Sequence, residues 1–128
     1  MLRSKWKLFS IFSISIVVII SSYLFVIDKN ESDDYVFKSA MINDLRYMSK
    51  RINEGFYINA KNPNGDTLLM IASRYGNIDI CKYLISKGAH LKMKNKLGED
   101  IFLIAKKYKH QELQNYLKTL EPSVSERP

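Results

Sequence analysis

Apolar and polar positions divide the chain into two differently patterned blocks. From Leu8 to Ile27 the sequence reads LFSIFSISIVVIISSYLFVI, without a charged residue. At the helical rise of about 1.5 Å per residue such a block spans roughly 30 Å, the hydrocarbon thickness of a bilayer. A helix apolar on all sides needs either lipid or a domain large enough to surround it, and the short remainder of the chain predicts lipid. Beyond Tyr35 the pattern becomes short and amphipathic. Leu68–Tyr75 reads as a brief apolar helix, opened by Thr67 as its cap. Ile78–Lys87 reads as a second, with Ile80, Cys81, Leu84 and Ile85 on one face. Gly76-Asn77 forms the turn between them, and Gly88 ends the second helix in the left-handed conformation. Residues 28–34, DKNESDD, lack periodicity and read as an acidic tether; residues 121–128, EPSVSERP, read as a flexible tail.

The second block repeats itself with a period of 33 residues. Asn62 aligns with Asn95, Gly65 with Gly98, Ile71 with Ile104, Ala72 with Ala105, Tyr75 with Tyr108, Tyr83 with Tyr116 and Leu84 with Leu117. Backwards, Gly88 aligns with Gly55, Ile85 with Ile52 and Leu91 with Ile58. Three units follow, 35–61, 62–94 and 95–120, each a turn, helix, turn, helix and turn.

The middle unit, GDTLLMIASRYGNIDICKYLISKGAHL, resembles an ankyrin repeat. Gly65, Thr67, Leu69, Ala72, Gly76, Ile80, Leu84, Gly88 and Ala89 carry the resemblance. Leu68 stands in place of the family's proline and Met70 in place of the histidine that ties neighbouring turns. In the third unit Asp100 replaces threonine and Lys109 replaces glycine, while His110 keeps its place. The first unit is similar to the N-terminal capping units of bacterial ankyrin proteins. The resemblance implies an all-α helix-turn-helix solenoid of about three units after the N-terminal transmembrane helix. It also implies protein recognition through the turn tips and the concave face of the first helices. Those positions are Pro63, Asn64, Asp66, Arg74 and Tyr75 in the second unit, and Lys96, Leu97, Glu99, Lys107 and Tyr108 in the third. Met41 and Ile42 belong to the first. Arg74-Tyr75 and Lys107-Tyr108, one period apart, are expected to stack as a basic, aromatic strip.

Composition narrows the chemistry. The chain has 128 residues, one cysteine, two histidines and a net charge of +7, which leaves no disulfide framework and little for a histidine or cysteine metal centre. No Ser-His-Asp set or glycine-rich phosphate loop occurs. Cys81 falls at a core position, His110 at a structural turn and His90 in an exposed turn. Glu99-Asp100 lies at a helix start, where negative charge suits the dipole. The reading is therefore a non-enzymatic module, with no cofactor, no metal, no small-molecule substrate and no nucleic acid. From Tyr35 onward there are sixteen basic and nine acidic residues, and nine of the basic ones fall between Lys82 and Lys118. This excess fits an acidic protein partner or an anionic membrane surface.

The flanks of the apolar block set its direction. Arg3, Lys5 and Lys7 precede it; Asp28, Glu31, Asp33 and Asp34 follow, against Lys29 alone. Positive charge stays inside, so everything after Ile27 is expected outside, with Trp6 and Tyr23 as interfacial rings. An uncleaved signal anchor is favoured over a cleaved signal peptide, because bulky residues 23–27 follow the only small pair, Ser21-Ser22. Richness in lysine, isoleucine and asparagine points to an AT-rich bacterial genome, hence to the inner membrane and the periplasm. The function expected is an immunity or inhibitor protein that neutralises a toxin or secreted enzyme. The alternative is an envelope scaffold or assembly factor, in which Ser10, Ser13 and Ser21 allow close helix pairing.

Overall fold

The structure is a computed structural model that describes residues 2–121, the side chains of 2–4, 6, 8, 9 and 28–32 excepted. Residues 122–128 of the tail expected over 121–128, and the ring of Trp6, lie outside the described residues. Among these the chain forms six α-helices and no strand beyond a single Lys61–Thr67 bridge. It divides into two compact units, residues 1–35 and 36–128.

The first unit is helical. Helix α1 runs from Leu2 to Ile42, and its last turns, from Val36, belong to the second unit. Its stretch Ser10–Ile27 is long and apolar enough to cross a membrane, with none of it buried by protein. Residues 28–34, expected as a tether without periodicity, have helical backbone. The stretch holds no glycine or proline that would break a helix, and its charges alone do not.

The second unit is a stack of helix pairs. Asn43, at φ 62°, turns the chain from α1 into α2, Leu45–Asn53. Asp44 caps α2 by accepting from the Tyr47 amide at 3.0 Å. The middle pair is α3, Leu68–Tyr75, and α4, Ile78–Ser86; the last pair is α5, Ile101–Lys107, and α6, Gln111–Leu120. Helix α4 ends one residue before its expected limit, with Lys87 at the cap and Gly88 following at φ 89°. Thr67 caps α3 through the Met70 amide, and Met70 Sδ accepts in return from the Thr67 amide at 3.5 Å. The residue lacking the family's imidazole thus closes a local box of its own. Asp100 does the work of the missing threonine, accepting from the Leu103 amide at 3.0 Å.

The core runs continuously through the pairs: Val36 and Ala40 of α1, Met48 of α2, Leu68, Leu69 and Ala72 of α3, Ile80, Cys81 and Leu84 of α4, Ile101 and Ala105 of α5, and Leu113 and Leu117 of α6. Each fully buried leucine or isoleucine contributes about 1.5–3 kcal/mol of transfer free energy. Two glycines let the last pair seat on the middle one. Gly76 is left-handed at φ 73°, and a Cβ there would meet the His110 ring at 2.7 Å. That ring reaches past it to the Arg74 carbonyl, 3.0 Å from Nε2. At Gly65 a Cβ would lie 2.9 Å from the Lys96 amide nitrogen, which donates to the Asn64 carbonyl.

Candidate partner-binding groove

The turn tips repeat one device. Asn62 Oδ1 accepts from the amides of Asn64 and Asp66, at 2.9 and 3.0 Å. One period later, Asn95 Oδ1 accepts from the amides of Leu97 and Glu99, both at 2.9 Å. Each asparagine folds its own loop and holds the acid four residues on in a fixed place.

Those acids meet bases on the following helix. Arg74 grips Asp66 with two bonds, Nη1 to Oδ2 at 2.8 Å and Nη2 to Oδ1 at 3.0 Å. Lys107 Nζ donates to Glu99 Oε1 at 2.6 Å. Asn95 links the pairs, donating from Nδ2 to Asp66 Oδ1 at 2.8 Å and to Glu99 Oε2 at 3.2 Å. Burial pushes the Asp66 carboxyl up, but the bonds from Arg74 and Asn95 outweigh it and hold the group below its ordinary value. The Lys107 and Asn95 bonds likewise hold Glu99 low against its burial. Both cations are correspondingly held more firmly protonated, Arg74 by its bond to Asp66 and Lys107 by its bond to Glu99.

The expected basic strip gains carboxylate partners. Arg74 and Lys107 each pair with a buried carboxylate, because the acid eight residues earlier lies at the turn tip directly beside each. Glu99 is not a helix-dipole group; Asp100 takes that place, and Glu99 turns its carboxylate into the network. The tyrosines remain outward, Tyr75 and Tyr108 both exposed. Tyr108 lies parallel to the His110 ring, with centroids 6.4 Å apart, and Lys107 Nζ is 5.8 Å from the Tyr108 centroid.

Around the network lies a cavity of about 330 Å³ between the second and third units. Asn64, Asp66, Arg74, Lys96, Leu97, Glu99, Lys107 and Tyr108 of the sequence candidates line it, with Asn95 as the one addition. A neighbouring hollow of about 290 Å³ brings Tyr75 and Met41 together with Phe37, Lys38 and Ile71. Pro63 and Ile42 are exposed and line neither. Asn95 was missed as a site residue, although its alignment with Asn62 was plain; the available signal was an acid and a base eight residues apart, recurring at the period. Among the described residues no cluster of three metal-binding side chains occurs. Cys81 is buried in the core, its thiol pushed up to about 12 by burial.

A family model described as ankyrin repeats in three copies matches residues 36–126. The chain belongs to the ankyrin repeat family. Its fold is that family's interaction scaffold, which binds protein partners. Ankyrin repeat domain-containing protein 46 of Rattus norvegicus and that of Mus musculus are each 32% identical over 63 residues, 49% of this chain and 28% of theirs. Among solved structures, the chain is similar to a chain in the complex of a predatory endopeptidase from Bdellovibrio bacteriovorus with an immunity protein. The TM-score is 0.64 at 29% identity, over 70% of this chain and 47% of that one. The chain therefore spans less than half the length of each of these relatives.

Proposed function

We propose that this ankyrin protein is a membrane-held immunity protein, which binds and blocks a toxin or secreted hydrolase arriving in the periplasm. The observation that carries this reading is the likeness, at 29% identity, to a chain of an endopeptidase–immunity protein complex. The apolar helix Ser10–Ile27, with lysine and arginine before it and acids after it, supports an inner-membrane anchor with the repeats outside. The groove between the second and third units supplies the binding surface in this reading: the exposed Tyr108 ring beside a prearranged polar network. A scaffold within the membrane would instead use the exposed α1 face.

The test is a search of the neighbouring genes for a toxin or secreted hydrolase, followed by its co-expression with this chain in a bacterial host. Full-length protein should protect the host, and a version lacking residues 35–128 should not. Equal survival with the truncated protein would contradict the immunity role. An alkaline phosphatase fused at the C-terminus should be active; an inactive fusion would reverse the proposed orientation.

A further inference from the structure

We infer that the groove between the second and third units takes an acidic side chain of a protein partner, an aspartate or glutamate inserted beside Lys107. The inference rests on the partner-binding reading of this groove and names what enters it.

By simple charge the site is ambiguous, since Asp66 and Glu99 stand against Arg74, Lys96 and Lys107. Hydrogen-bond capacity resolves it. The carboxylates are turned inward, their side chains only 4% and 9% exposed, while Arg74 and Lys107 are 23% and 52% exposed. Asp66 accepts three bonds, from Arg74 Nη1, Arg74 Nη2 and Asn95. Glu99 accepts from Lys107 and Asn95, with Arg74 Nη2 a further 3.9 Å away. A basic partner residue would find these acceptors occupied and covered.

Donors are in surplus. An ammonium has three N–H groups and a guanidinium five. Lys107 spends one on Glu99 and Arg74 two on Asp66. Lys96 stands exposed at the rim, with no ion pair among the described residues. The walls therefore offer more open N–H groups than outward-facing acceptors, which favours an occupant that brings acceptor oxygens. A carboxylate does this and adds charge complementarity. Leu97, 77% exposed, and Tyr108 give the site apolar flanks, which suit an acidic residue with an apolar neighbour in an ordered protein segment. A cavity of about 330 Å³ has room for a side chain.

The probe is a set of three capped peptides, Tyr-Glu-Leu, Tyr-Gln-Leu and Tyr-Lys-Leu, titrated into full-length protein in detergent micelles and followed by amide NMR. The glutamate peptide should shift the resonances of residues 96–99 and 107–108 saturably, more weakly as salt rises. The glutamine and lysine peptides should leave them in place. Lys96→Glu, which alters an exposed rim charge, should weaken the glutamate peptide at least fivefold with an unchanged melting temperature. Equal shifts from the glutamine peptide, preferential binding of the lysine peptide, or shifts confined to other residues would overturn the inference. Binding of the glutamate peptide by a protein that gives no protection from the hydrolase would instead count against the immunity role alone. Protection by a protein that ignores the peptide would count against this site alone.

Discussion

Asp66 and Glu99, one repeat apart, share a single amide: Asn95 Nδ2 donates to both, at 2.8 and 3.2 Å. Two ion pairs that would each be local to one unit thereby become one network across the interface between units. Repeat stacks draw their stability from such interfaces.

Asn95→Ala removes both of those bonds and the two that fold its own loop. Leaving buried carboxylates short of donors costs about 1–3 kcal/mol, so a loss near 2 kcal/mol is expected. Urea denaturation with an unchanged slope checks it. A loss under about 0.5 kcal/mol, the usual range for a surface change, would mean that the network does not couple the units.

The same acids set the response to pH. Both carboxyls titrate lower in the folded state than unfolded, so the unfolded chain binds more protons in that range. Their stabilisation is complete above the unfolded values, about 4, and is lost as pH falls through the lower folded ones. Melting temperatures measured from pH 6 to pH 2.5 should fall over that window. The decline should be shallower in Asp66→Asn and Glu99→Gln; a parallel decline in both variants would place the acid sensitivity elsewhere.

Lys109 holds φ 59° at the position where the middle unit has Gly76. A left-handed lysine costs roughly 1 kcal/mol that glycine does not. Lys109→Gly should therefore stabilise the protein by ~0.5–1 kcal/mol. Gly76→Ala should do the reverse more strongly, since its Cβ would strike the His110 ring. Calorimetry of the two variants checks both signs.

Cys81 should resist alkylation at pH 8 in the folded protein, because burial keeps its thiol protonated with a pKa of about 12. Iodoacetamide labelling that tracks unfolding in urea is the expected outcome. Rapid labelling of the folded protein would contradict the buried placement.

Much of this was legible in the chain itself. Thr67 announced a cap, Gly76 a turn, Gly88 a left-handed helix end, and Ile80, Cys81 and Leu84 a buried face, because each is a local rule acting within one or two turns. Glu99 and Lys107 were read separately, as a group at a helix start and as part of a basic, aromatic strip. Their pairing spans eight residues and a change from loop to helix, outside the i,i+4 spacing that signals a bond along one helix. The helical backbone of residues 28–34 escaped for a different reason. The pattern read was the spacing of apolar residues, and DKNESDD holds no apolar residue to show one.

Titration calorimetry of full-length protein with a purified toxin or secreted hydrolase from a neighbouring gene tests partner binding in the groove most directly. Tyr108→Ala in the groove, and Tyr75→Ala in the hollow beside it, should each weaken binding by about 1–2 kcal/mol, with helicity and melting temperature retained. Binding by wild type that neither substitution changes, or no binding at all, would contradict the account.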